Sequence, residues 1–124
     1  MARARASSAR KPPDSRVLAV VRTDATFERV TFRGAPAWQG RCLFCRKKLL
    51  VDEAGRPLSP VSVEHIVPRS KGGTDALENL ALACPGCNHE KGRRHDKRDA
   101  SDARAIEVTQ ALLAERKARW REPS

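Results

Sequence analysis

Apolar positions fall in short runs along most of the 124 residues, and a helical period emerges only near the C-terminal end. Residues 17–21 and 27–32 are β-rich runs flanking Thr23-Asp24-Ala25, a pattern that predicts a β-hairpin. Gly34-Ala35-Pro36 interrupts it, and Trp38 follows as a core or capping residue. A third apolar stretch, residues 49–51, leads into a turn over 52–57. VSVEHIVP predicts a short strand ended by Pro68, because proline offers no N–H to a ladder. RSKGGTDALE reads as a loop in which Gly72-Gly73 are free to take positive φ. NLALAC alternates like a second strand, and PGCNHEKGRR opens with Pro85 at a plausible first helical position. Residues 101–121 predict a helix with Ser101 or Asp102 as N-cap. Its ragged apolar face (Ile106, Leu112, Leu113, Trp120) is expected to pack on the ββα unit. The expected fold is therefore α+β. A basic arm (1–16) and an N-terminal β-hairpin (17–37) precede a ββα core (38–98), and a C-terminal helix (99–124) closes the chain.

Charge narrows the partners. A formal net charge of +10 and a pI near 10.3 favour a polyanion, with nucleic acid expected and a merely solvated basic surface as the alternative. With 4% aromatic residues and a mean hydropathy of −0.60, the core is small and needs a staple other than packing. No apolar run approaches the roughly 18 residues of a membrane span. The arm MARARASSARK lacks the apolar stretch of a secretory signal. Its Arg/Ser/Ala content leaves a transit peptide as the alternative to a flexible arm, and the expected location is cytoplasmic or nucleoid-associated.

Cys42, Cys45, Cys84 and Cys87 make two CxxC pairs. Two such knuckles complete a tetrahedron of soft sulfur, which selects Zn²⁺. Four thiolates close the coordination sphere, so the site is structural; disulfides are the alternative, poorly suited to this spacing. Glu64 and His65 are neighbours in a strand. Their side chains leave on opposite faces and cannot share one pocket unless the strand ends or twists there.

The run EHIVPRSKGG…ENLALACPGCNHEKG resembles the HNH endonuclease family, in its variety with two CxxC knuckles. The resemblance covers residues 38–94 and rests on several separately spaced features: the acidic-His pair, Pro68, Gly-Gly, Asn-Leu and Cys-Asn-x-x-Lys-Gly. It implies that Glu64 and Asn88 hold a catalytic Mg²⁺ or Mn²⁺, whose preference for oxygen ligands they meet. It implies further that His65 is the general base. Asn79 would bond backbone and so fix that base, although the residue alone reads equally as a turn former. Lys91, Arg93 and Arg94 after the helix are expected to meet backbone phosphates, with a solvated basic face as the alternative. Glu64 stands where Asp is commoner, and Asn88 stands where the family name has His. His89 turns about 100° from Asn88 on a helix and is not assigned, nor is His95. Two functions follow: a DNA endonuclease, or an inactive zinc-stapled nucleic-acid-binding module.

Overall fold

The computed structural model describes residues 11–123; the first ten residues of the basic arm lie outside the described residues. The first element corrects an expectation. Residues 17–21 are not a strand: Ser15–Thr23 is a helix, α1. The β-branched composition suggested a strand, but Val17, Val20 and Val21 stand at helical spacing and form its buried stripe. Asp14 caps α1 by accepting from the Arg16 N–H at 2.9 Å. At the far end the Thr23 hydroxyl donates back to the carbonyls of Ala19 (2.9 Å) and Val20 (3.1 Å). The last two residues of the expected arm, Ser15 and Arg16, thus belong to α1.

The hairpin is present but lies further along. It joins β1 (Glu28–Phe32) to β2 (Ala35–Arg41), antiparallel, with Phe32 opposite Ala35. Arg33 (φ 52°) and Gly34 (φ 80°) form the two-residue connection, where positive φ at both positions matches the twist of the strands. Residues that looked like a break are therefore its turn and second strand. β3 (Lys48–Asp52) adds to β2 as a third antiparallel strand. Gly40 on β2 is required by packing, since a Cβ there would meet the buried Phe27 ring at 2.4 Å.

The ββα unit follows as expected. β4 (Ser62–His65) pairs antiparallel with β5 (Leu80–Ala83), with His65 opposite Leu80. α2 (Pro85–Lys91) starts on Pro85 and continues into a wider turn over Gly92–Asp96. α3 (Ala103–Ala118) is N-capped by Asp102, which accepts from Ala105 N–H at 2.9 Å. Val17, Val20, Val21, Phe27, Leu49 and Leu82 make one core between α1 and the two sheets. Leu112 seats α3 on Leu43, Ile66 and Ala81 of the ββα unit. Ile106, expected on that buried face, is exposed.

Two arginines of the C-terminal segment do what the apolar face cannot. Arg116, fully buried, donates to the carbonyls of Leu80 (2.7 Å), Thr23 (2.9 Å) and Leu77 (3.1 Å), and to the Thr23 hydroxyl (2.7 Å). Arg119 donates to the carbonyls of Arg41 (2.9 Å) and Cys42 (3.2 Å). Together they tie the C-terminal segment to α1, to the turn before β5 and to the first cysteine knuckle. Among the described residues no helix is long and apolar enough to cross a membrane.

Candidate active site and metal centre

The four cysteines meet where the β2–β3 connection faces the start of α2. Cys42 N–H donates to the Lys47 carbonyl (2.8 Å) and Arg46 N–H to the Cys42 carbonyl (3.1 Å), closing a turn in which Arg46 takes φ 64°. All four sulfurs lie within 4.8 Å of one another, and none forms a disulfide. Cys45 Sγ and Cys84 Sγ are 3.9 Å apart. That is about the 3.8 Å edge of a tetrahedron with metal–sulfur bonds near 2.3 Å, and nearly twice a disulfide bond of about 2.05 Å. The Cys84 N–H points at Cys42 Sγ from 3.3 Å. The Cys45 thiol is lowered to about 7, first by the backbone hydrogen bond from Lys47, whereas burial pushes the Cys87 thiol up. The spacing of the four sulfurs fits one tetrahedral ion.

The second centre is divided by the pleat of β4. His65, the last residue of the strand, turns to the loop side. Its Nε2 lies 2.7 Å from Asp75 Oδ1. Arg69 grips the same carboxylate with its NH2 at 2.8 and 2.9 Å. Asn79 is buried and fastens the loop: its Oδ1 accepts from Val67 N–H (2.8 Å), and its Nδ2 donates to the carbonyls of Val67 (3.1 Å) and Thr74 (2.9 Å). The expected contact of Asn79 with backbone is thus present. Both ends of the loop after His65 are held by one side chain.

Glu64 leaves on the other face and is 2% exposed. Lys91, one turn beyond Asn88 on α2, brings its ammonium to 2.6 Å from Glu64 Oε2. The same ammonium donates to Asp96 (2.7 and 2.9 Å) and to the His65 carbonyl (3.2 Å). The ion pair compensates the charge of Glu64, yet Oε2 lacks a partner of hydrogen-bond geometry. Burial raises the pKa of Glu64, and the Lys91 contact opposes that rise. This corrects the expectation for Lys91. It is a buried counter-ion, and its amine is not offered to phosphate. Arg93 and Arg94 do reach the surface, each paired with Glu90 at 2.9 and 2.7 Å. Exposed pairs of this kind are cheap to exchange for another anion.

Asn88 is half-buried and lines a cleft of about 360 Å³ with Lys11, Arg16, Pro57 and Ser62. Glu64 and Asn88 are oxygen donors of the kind a hard cation takes, but Glu64 is not among the residues lining the Asn88 cleft, and its Oε2 is buried against the Lys91 ammonium. His89 is exposed; His95 is half-buried, with its Nδ1 buried and unpartnered. Asp75, Arg69 and Asp96 were not foreseen. In sequence they are ordinary loop charges, and only the fold-back of the loop or the helical face shared by Asn88 and Lys91 gives them a role.

A family model described as HNH endonuclease matches residues 42–94, a stretch that holds both cysteine pairs together with Glu64, His65, Asn79 and Asn88. No curated protein and no solved structure matches the chain.

Proposed function

We propose, from the match of residues 42–94 to the HNH endonuclease family model, that this protein is a metal-dependent endonuclease hydrolysing DNA phosphodiester bonds. The observation that carries the reading is the clamping of the loop behind His65 by Asn79, through three hydrogen bonds. A general base contributes only if its lone pair stays aimed at the proton it must take. The role given to His65 is to accept the proton of the attacking water, so that a P–O bond forms as the bond to the 3′-oxygen breaks. The products are a 5′-phosphate and a 3′-hydroxyl. Glu64 and Asn88 would hold Mg²⁺ or Mn²⁺, which supplies stabilisation of charge on the phosphate and the leaving oxygen. Zinc on Cys42, Cys45, Cys84 and Cys87 is structural, and Arg93 and Arg94 exchange Glu90 for backbone phosphates. Work on DNA is consistent with the expected location in the cytoplasm or at the nucleoid.

One observation favours a second reading, an inactive nucleic-acid-binding module: Lys91 already sits against the Glu64 carboxylate. Supercoiled plasmid separates the two. The purified protein should nick it when Mg²⁺ or Mn²⁺ is added, and His65→Ala should lower the rate by about 10²–10⁴-fold with zinc content and DNA binding retained. Nicking by His65→Ala at the parent rate, in a preparation free of other nuclease, would transfer the assignment to the binding module.

A further inference from the structure

We propose that Asp75 is a positioning residue for His65, fixing its imidazole in the tautomer whose Nδ1 is free to take a proton. The inference rests on the endonuclease reading. An ionised carboxylate only accepts hydrogen bonds, so the 2.7 Å contact between Asp75 Oδ1 and His65 Nε2 puts the ring proton on Nε2. The lone pair is then on Nδ1. Arg69 Nε approaches the same Nε2 at 3.4 Å, the outer limit of a hydrogen bond, and it cannot donate to a nitrogen that already carries a proton. Arg69 therefore acts on Asp75, through its two-oxygen grip, and not on the ring. Its charge and the hydrogen bond from His65 both hold Asp75 ionised below the usual carboxylate range, the hydrogen bond being the larger cause.

The loop is built to deliver this carboxylate. Lys71 and Gly73 N–H groups both donate to the Pro68 carbonyl at 2.9 Å, folding the chain back after β4. Gly73 is obligatory in that fold, since a Cβ would lie 1.7 Å from the Val67 carbonyl oxygen. Asn79 then anchors the Thr74 carbonyl, so Asp75 follows directly after three fixed points, Val67, Pro68 and Thr74. Exposure separates this role from a structural one. The side chains of Asp75 and Arg69 are 58% and 65% exposed, that of His65 only 19%. Nothing in the core depends on the Asp75 carboxylate, and an exposed ion pair of this kind adds little to stability. A firmly held, solvent-facing carboxylate on a shielded imidazole serves the ring. The same division recurs where a carboxylate orients a general base and steadies the imidazolium it becomes.

The experiment uses the zinc-loaded full chain with Mg²⁺ and supercoiled plasmid. Asp75→Ala and Asp75→Asn should lower kcat by about 10- to 100-fold, the usual cost of losing a hydrogen-bond partner behind a functional histidine, with KM within about threefold. Asp75→Glu should recover part of the loss, and His65→Ala/Asp75→Ala should be no slower than His65→Ala alone. Ring ¹⁵N shifts of His65 should report one dominant tautomer in the parent and a mixture in Asp75→Ala, against an otherwise unchanged amide spectrum. If Asp75→Ala turns over at the parent rate while His65→Ala is inactive, the inference falls and the endonuclease reading stands. An unchanged tautomer in Asp75→Ala overturns it as well. Activity retained by His65→Ala removes the endonuclease reading itself, and the ring shifts then still decide whether Asp75 sets the tautomer.

Discussion

Arg116→Met should cost about 3–5 kcal/mol, and Arg116→Lys should cost no less. The parent side chain is 1% exposed and makes four hydrogen bonds, to Leu80, Leu77 and twice to Thr23. Its guanidinium also lies 4.8 Å from the centre of the Trp120 ring. Bonds to a charged donor contribute roughly 1.5–3 kcal/mol each, a sum of about 6–12 kcal/mol if they were independent. Two terms reduce that sum. The Thr23 carbonyl keeps the Arg121 N–H and the Leu77 carbonyl keeps the Leu80 N–H, so neither is orphaned. Burial also disfavours the charged guanidinium, lowering its pKa, and methionine abolishes that desolvation cost. Lysine keeps the buried charge but replaces a planar fork with one point donor, which cannot serve carbonyls on three segments at once. Urea unfolding of zinc-loaded protein at 25 °C measures both variants against a total stability of about 5–15 kcal/mol. Amide exchange at Val67, whose N–H the Asn79 side chain holds, should quicken in both, because Arg116 braces the Leu77–Asn79 turn. A loss below 1 kcal/mol for the methionine variant, or a lysine variant clearly more stable than it, would refute the reasoning.

Two further outcomes follow from the buried charges and the sulfur cluster. Lys91→Met should cost about 3–5 kcal/mol at pH 8 by leaving Glu64 uncompensated. Burial makes folded Glu64 hold its proton more tightly than the unfolded chain does, so its contribution is most favourable at low pH and is lost as pH rises through the raised value; losing the ammonium raises that value further, and the penalty should be smaller at pH 6 than at pH 8. Equal penalties at both pH values would contradict the ion pair seen between Lys91 and Glu64. Freshly purified protein should contain one zinc per chain, and its removal, or Cys84→Ser, should abolish cooperative unfolding, since free energies of about 10 kcal/mol or more are coupled to such sites; a metal-free protein with an unchanged melting temperature would exclude a structural zinc.

What was legible in the sequence was local in the chain or carried by fixed spacing. The paired CxxC knuckles, the strand ended by Pro68, Pro85 at the start of α2 and the Asp102 cap are all readable within a few residues. α1 was missed because composition was weighed above period: five apolar residues rich in valine look like a strand until the 17/20/21 spacing and the Asp14 cap are given priority. The same error displaced the hairpin, whose turn at Arg33-Gly34 announces itself only through positive φ. Lys91 stands in a basic run and looks like a phosphate ligand. Its partner, Glu64, is 27 positions away, and nothing local says that α2 turns its Asn88–Lys91 face toward β4. The contacts of Arg116 span 36, 39 and 93 positions. A cation buried among carbonyls leaves no pattern in sequence, because its acceptors are backbone and have no identity.

The cysteine cluster and the Glu64 site differ in whether the protein supplies a cation of its own there. At the cysteine cluster there is none: four sulfurs within 4.8 Å repel one another as thiolates and waste their ligand geometry as thiols. An ion bound there would hold the surrounding backbone, from Arg41 to Cys45 and from Cys84 onward. At Glu64 a substitute is built in. Lys91 neutralises the buried carboxylate at 2.6 Å, donates to Asp96 at 2.7 Å and steadies the His65 carbonyl at 3.2 Å, so this part of the fold closes without a divalent cation. A divalent cation at Glu64, as proposed above, would have to offset the displaced or shared ammonium. On the proposed reading, removing the ion from the cysteine cluster should disrupt the fold, whereas loss of a cation at Glu64 should not. The pleat that sends Glu64 inward and His65 outward keeps the Lys91 ammonium on one face of β4 and the Asp75 carboxylate on the other. His65 therefore sits beside the Asp75 carboxylate, and the Lys91 ammonium stays beside Glu64.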